Sequence, residues 1–321
     1  MKGSYIILYE QGELQKRITQ AQALLSPCRL CPRQCGVNRQ STDSKTAQKG
    51  LCRTGAKAMV ASYGPHFGEE SPLVGSGGSG TIFFSHCNLL CLFCQNYGIS
   101  HCPDQEEGVE TSPENLARIM LSLQEQGCHN INFVTPSHVI PQILEALPFA
   151  LANGLHVPLI YNSSGYDSVE SLRLLEGVID IYMPDFKFWN PVKAKQYAQA
   201  YDYPEKARQA FKEMFRQVGD LLINTDGLAQ KGLLIRHLIM PGCLDETEKI
   251  LRFIAQEVSL NSYVNIMDQY RPCGKAGQFK DLNRPITAEE YQQALSMANN
   301  VGLSRLDQKD FSFLLQKLGI V

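Results

Sequence analysis

From residue 81 onward the chain alternates short apolar runs with longer stretches of helical periodicity, and no other feature restricts its fold as much. A strand followed by an amphipathic helix returns the next strand parallel to the first, because the crossover helix carries the backbone back to the starting edge. Strands are predicted at 81–85, 130–135, 156–161, 178–183, 232–240 and 262–268. Six such units imply an α/β fold, a partial (β/α)6 TIM-like barrel with fewer than eight strands. Its chemistry would sit at the C-terminal strand ends.

Local signals support this order. Ser112 can cap the first helix, with Pro113 at its first position and Leu116, Ile119, Met120 and Leu123 along one apolar face. Asp245 is placed to cap the fifth. The sixth opens on a capping box from Thr287 to Glu290, with Ile286 and Tyr291 spaced as a hydrophobic staple. Residues 190–219 are long enough for two helices, with Pro204 between them. Before the barrel lies a loop-rich segment, so the chain divides into a cysteine-rich extension at 1–75 and a barrel with a C-terminal extension at 76–321.

The composition narrows the function classes. A chain of 321 residues that is 44% hydrophobic can bury a full core. Thirty Lys and Arg against 32 Asp and Glu leave a net charge of -2, without a run of like charges to hold a phosphate backbone or an anionic lipid surface. The first apolar stretch is interrupted at Glu10 and Glu13, too early for a signal sequence, and no segment reaches the roughly 18 apolar residues of a spanning helix. The expected location is the cytoplasm. "GSGGSG" at 75–80 matches the spacing of a dinucleotide fingerprint, but it precedes a strand instead of following one and opening a helix. It reads as a flexible lead-in loop.

Eleven cysteines in a reducing compartment point to metal ligation, not to disulfides. Cys28, Cys31, Cys35 and Cys52 form one group, Cys87, Cys91 and Cys94 a second, and Cys102, Cys128, Cys243 and Cys273 are scattered. Four thiolates suit structural zinc or a complete iron–sulfur cluster, and the ligand set does not choose between them. Three thiolates leave a place open. Either His86, His101 or Cys102 closes a zinc site, or a cuboidal iron–sulfur cluster keeps one iron for an exogenous ligand.

The motif "CNLLCLFC", C-x3-C-x2-C after the first strand with Phe93 just before the third cysteine, resembles the signature of the radical S-adenosylmethionine (SAM) enzymes. The resemblance implies a [4Fe-4S] cluster on Cys87, Cys91 and Cys94, whose fourth iron is chelated by SAM. It also implies reductive cleavage of SAM to a 5′-deoxyadenosyl radical that abstracts hydrogen from a substrate. "MPDFK" at the end of the fourth strand is similar to the branch containing pyruvate formate-lyase activating enzyme, and places Met183, Asp185 and Lys187 near SAM. By the same likeness Asn162 and Ser163 face the pocket from the third strand, Arg236 from the fifth and Gln269 after the sixth, with His237 and Tyr270 as further candidates. Alternation allows only one of Arg236 and His237 to point inward. Where many of these enzymes carry Gly-Gly-Glu, this chain has "FVTPSH", so Thr135, Ser137 and His138 are the polar groups in that position. The implied partners are an electron donor such as flavodoxin or ferredoxin and a substrate that includes proteins or peptides, glycyl-radical enzymes among them. The competing expectation is a zinc-stapled binding protein without catalysis.

Overall fold

The structure, a computed structural model, describes residues 4–41, 50–101 and 108–307. Its strands are β1 (Ala58–His66), β2 (Ser79–Phe84), β3 (Val109–Thr111), β4 (Ile131–Val134), β5 (Leu159–Ser163), β6 (Ile181–Pro184), β7 (Leu222–Ile223), β8 (Ala229–Leu238) and β9 (Tyr263–Met267). Its helices are α1 (Ser4–Glu10), α2 (Glu13–Ala23), α3 (Ser71–Val74), α4 (Tyr97–His101), α5 (Pro113–Glu125), α6 (Ile140–Ala152), α7 (Val169–Leu174), α8 (Pro191–Ala198), α9 (Tyr203–Val218), α10 (Leu244–Phe253) and α11 (Ala288–Asn300).

β2, β4, β5, β6, β8 and β9 pair side by side and parallel in chain order, with helices as crossovers. This is the expected partial (β/α)6 barrel, and its sheet stays open. Three further strands were not legible. β1 runs antiparallel to β2, β3 antiparallel to β1, and β7 antiparallel to β8. β1 contains Gly64 and Pro65, and Pro65 pairs with Gly80 at the strand's end, so its sequence resembles a turn more than a strand.

Period-two alternation sorts the barrel residues. Ile82, Phe133, Tyr161, Tyr182, Leu233 and Ile235 are fully buried in the main core. Their neighbours Ile160, Ile181, Met183 and Leu234 form a separate small cluster with Leu73 of α3 and Leu221. Each such aliphatic contributes about 1.5–3 kcal/mol by leaving water. The inner cluster floors the barrel, and the inward positions two residues further along each strand carry polar groups.

The helix signals translate closely. Ser112 Oγ accepts the Asn115 amide at 3.3 Å with Pro113 opening α5, Thr287 and Glu290 form their reciprocal capping box, and Pro204 stands in the first turn of α9. Asp245 does not cap α10: Cys243 holds that position and Asp245 lies in the first turn, where a negative charge still complements the helix dipole. "GSGGSG" is not a flexible loop. A Cβ on Gly77 would stand 1.9 Å from the Gly127 carbonyl oxygen, so the glycine is required by close backbone packing. Among the described residues no helix is long and apolar enough to cross a membrane.

Candidate metal and cofactor site

The three-cysteine motif leaves the end of β2 through a sharp turn in which His86 takes a left-handed backbone, φ 71°. Its path is fixed from several sides. The His86 amide donates to Ile99 O at 2.7 Å and the Leu92 amide to Tyr197 O at 2.8 Å. Buried Asn88 donates through Nδ2 to Tyr166 O at 2.7 Å, and Arg33 Nε donates to Asn88 O at 3.0 Å. Cys87 and Cys91 are buried and Cys94 half-buried. Burial pushes the Cys87 thiol up to about 12 and Cys91 above its ordinary value, with Lys187 pulling both back down. Cys94 Sγ accepts a hydrogen bond from Ser100 Oγ at 3.3 Å.

Across from the motif, the inward positions of β5, β6 and β8 converge. Asp185 and Arg236 are register partners. Arg236 Nε donates to Asp185 Oδ1 at 2.6 Å and Nη2 to Asn162 Oδ1 at 2.7 Å, while Lys187 Nζ pairs with the other Asp185 oxygen. Burial alone would raise the Asp185 carboxyl, but Arg236 and Lys187 hold it below its ordinary range. Burial would likewise lower Lys187, but Asp185 and Cys91 hold it protonated. Tyr203 Oη accepts the Lys187 amide at 2.8 Å and lies 2.9 Å from Asp185 O, clamping the "MPDFK" turn. Gly165 is needed beneath it, since a Cβ there would meet Asp185 O at 2.6 Å.

Two acids that sequence reasoning missed complete this network. Glu69 and Glu70 lie 3.8 and 3.9 Å from Arg236 Nη1. Glu70 Oε1 also accepts from Asn265 of β9 at 2.9 Å. Burial pushes the Glu70 carboxyl up to about 7 against the pull of Arg236. The only sequence signal is a pair of adjacent acids in "HFGEESP", immediately before the chain enters α3.

The remaining expected residues divide. Asn162, Asp185, Lys187 and Arg236 are brought together, and Lys187 links them electrostatically to Cys91. Met183 is fully buried one layer below in the inner cluster. Thr135 sits at the end of β4 with φ 61° and donates its amide to Asn162 O at 2.9 Å. Ser163 turns elsewhere, donating through Oγ to Asp167 Oδ2 at 2.6 Å, because adjacent strand residues face opposite sides. Phe93 packs between Phe188 and Tyr270, at ring distances of 5.9 and 6.0 Å. Gln269 is exposed at the rim, where its carbonyl accepts from Gln95 at 3.1 Å. Tyr270 is buried, with its hydroxyl on Leu282 O at 2.8 Å. His237 points outward, held by Phe186 O and Thr247 Oγ1 at 2.7 and 2.9 Å. Ser137 is buried. His138 is a buried packing residue, with Nε2 3.0 Å from Ser85 O and a ring that burial keeps neutral down to about 3.

The four N-terminal thiols lie within electrostatic reach of one another. Burial pushes Cys31 up to about 12, with the charges of Cys52, Cys35 and Cys28 adding to the shift. Gly50 runs so close that a Cβ would stand 2.6 Å from Cys35 Sγ. Cys52 further raises Cys87, so the two groups adjoin. Cys128 is buried, Cys243 Sγ accepts from Lys193 at 3.3 Å, and Cys102 lies outside the described residues.

Among the described residues no three His, Cys, Asp or Glu side chains already stand in a metal-holding arrangement. The donor chemistry nevertheless fits a thiophilic centre. Buried thiols with raised pKa values need a strongly electropositive group to ionise them, and a metal does this on binding.

No protein-family model matches the chain. The crystal structure of QueE from Escherichia coli aligns with 78% of this chain and 92% of its own, at a TM-score of 0.42 and 10% identity. That of methylornithine synthase (PylB) aligns with 75% of this chain and 68% of its own, at 0.45 and 12%. In sequence the chain is 33% identical over 303 residues to the uncharacterized protein MJ0674 of Methanocaldococcus jannaschii, covering 90% of this chain and 79% of that one. With that identity over that length, the chain belongs to the family of protein MJ0674.

Proposed function

We propose that the chain is a radical SAM enzyme of the pyruvate formate-lyase activating enzyme-like branch. The observation that supports this most is a juxtaposition: the three thiols of C-x3-C-x2-C follow the first parallel strand, and Lys187, which acts on Cys87 and Cys91, belongs to the Asn162–Asp185–Arg236 network across the barrel mouth. Cys87, Cys91 and Cys94 would hold a [4Fe-4S] cluster. When bound, cluster and SAM supply a one-electron cleavage that yields methionine and a 5′-deoxyadenosyl radical able to take hydrogen from a substrate.

The chain's own residues prepare this. Asp185 presents a carboxylate held ionised by two cations, suited to a sulfonium or a ribose hydroxyl. Arg236 and Lys187 present donors to a carboxylate. Phe93, packed on Phe188 and Tyr270, keeps the third cysteine on a rigid base. The N-terminal thiols would hold zinc or a second cluster. The substrate class we favour is a protein or peptide, a glycyl-radical enzyme among the options, with flavodoxin or ferredoxin as reductant.

Anaerobic purification followed by incubation with dithionite and SAM tests the reading. A brown protein that forms 5′-deoxyadenosine supports it. A colourless, zinc-only protein, or a fully loaded one that forms no such product, overturns it in favour of a zinc-stapled binding protein.

A further inference from the structure

Asn132 and Glu70 leave buried polar atoms without partners inside the barrel, among the described residues. Asn132 stands beside Ile160 in register, so its side chain shares the inward face with the cluster around Leu73. It is fully buried, and neither its Oδ1 nor its Nδ2 has a hydrogen-bond partner among the described residues. Glu70 lies three residues before Leu73 and is 4% exposed. Its Oε1 accepts from Asn265 at 2.9 Å, but its Oε2 has no partner among the described residues. A buried acceptor costs free energy when nothing donates to it, so such atoms call for a ligand.

The charges beside Glu70 are unevenly matched. One guanidinium serves three carboxylates: Arg236 bonds Asp185 at 2.6 Å and lies 3.8 and 3.9 Å from Glu69 and Glu70. The two longer contacts are beyond hydrogen-bond distance. Lys187 pairs with Asp185, and His66 stands 3.1 Å from Glu69 at the surface. Among the described residues Glu70 therefore has no cation at bonding distance. The side chains of Asp185, Lys187 and Arg236 remain 12, 15 and 16% exposed, so the way from solvent to Glu70 leads through the barrel mouth.

We infer that Glu70, with Asn132 lower on the inner face, receives an alkylammonium group of the substrate, such as a lysine side chain carries. The inference rests on the function proposed above and names the substrate class of the same barrel. An ammonium fits better than a guanidinium because only one Glu70 oxygen is open, whereas a guanidinium is held best by two. An ammonium is compact and carries three donors, enough for Glu70 Oε2 and a neutral acceptor such as Asn132 Oδ1. A neutral group in that place would leave Oε2 unpaired, which gives the site its selectivity. Holding the cation at Glu70 leaves Asp185 and Lys187 at the mouth for SAM.

The test measures calorimetric binding of acetylated Gly-Lys-Gly amide and of its norleucine counterpart to the full-length loaded enzyme, with and without saturating SAM. The lysine peptide should bind about tenfold or more tighter, since the two differ by a charge-assisted hydrogen bond. Glu70→Gln keeps the shape and removes the charge, and it should abolish that preference while leaving the norleucine Kd unchanged. Asn132→Leu should reduce the preference by about threefold. Butylammonium as competitor separates the sources: competition weaker than that of the lysine peptide marks a protein or peptide substrate, and equal competition a free amine. Equal Kd values for the two peptides in the wild type, or an unchanged preference in Glu70→Gln, overturn the site. So does an equal loss of both peptides in the variant, which marks a structural defect. Expulsion of the lysine peptide by SAM also overturns it, because the acids then serve the cofactor. If the wild-type enzyme forms no 5′-deoxyadenosine with dithionite, the radical reading falls instead, since peptide binding is read without turnover.

Discussion

Cys87 and Cys91 lie within electrostatic reach of the Lys187 ammonium, whereas the charges that add to the effect of burial on Cys31 and Cys35 come from the other N-terminal thiols. Both groups contain buried thiols pushed upward by burial, and they differ in what stands opposite. Four thiolates can complete a coordination shell and need nothing further, which suits a staple between the N-terminal segment and the barrel. Three thiolates cannot, and in the proposed reading the open side would be met by the network of Asp185, Lys187, Arg236 and Asn162. An incomplete ligand set is productive only where the protein also builds a place for the missing ligand.

The largest effects should separate these groups. Replacing Cys87, Cys91 and Cys94 together by Ala is expected to reduce 5′-deoxyadenosine formation to background, with iron retained only if the N-terminal site holds some of it. Cys31→Ser should act mainly on stability, lowering it by at least about 3 kcal/mol through lost metal binding, with thermal melting and metal analysis as readouts. A Cys31→Ser protein that melts like wild type yet cannot cleave SAM would reverse the contrast and make the N-terminal group part of the electron path.

Much of this arrangement was legible because its signals are local. Six parallel strands follow from alternating periodicities, the opposite facing of Arg236 and His237 from the period of a strand, and the α11 capping box from residues three apart. Non-local features were not legible. Glu69 and Glu70 lie far ahead of β8 in the chain, and nothing in "HFGEESP" reveals that folding brings them near Arg236. β1 failed for another reason, since Gly64 and Pro65 mask a strand whose partner, β2, supplies most of its pairing. Gly77 was misread because a glycine needed for close packing and one needed for freedom look alike in a sequence. His138 shows the same ambiguity, its role decided by burial and the Ser85 carbonyl.

The next effect compares the inner and outer faces of β8. Asp185→Ala would leave Arg236 and Lys187 buried without their shared partner and should cost about 3–5 kcal/mol in urea unfolding. Thr247→Val removes the hydroxyl's bond to outward His237 and its longer one to Cys243 O, with no buried charge left unpaired, and should cost about 1–2 kcal/mol. Equal costs would mean that the inner charges are compensated by other groups, and the network would lose its claim to be a preorganised cofactor site.

The last effect concerns pH. Glu70 has its carboxyl raised to about 7 by burial, with Arg236 and Asn265 opposing the shift and Glu69 adding to it, while His66 lies 3.1 Å from Glu69. Below its ordinary range Glu70 is protonated both folded and unfolded and contributes no pH dependence. As pH rises towards 7 the unfolded chain releases the proton first, so ionisation favours unfolding and stability declines. Glu70→Gln should remove this decline, a difference on the order of 2 kcal/mol between the wild-type and variant pH profiles. His66, raised by the same Glu69, contributes stability at low pH that fades as pH rises through its folded value, and both proteins share it. The subtraction therefore isolates Glu70. Superimposable profiles would show that Arg236 already keeps Glu70 ionised throughout, and the two acids would then be fixed anchors for Arg236 instead of a titrating pair.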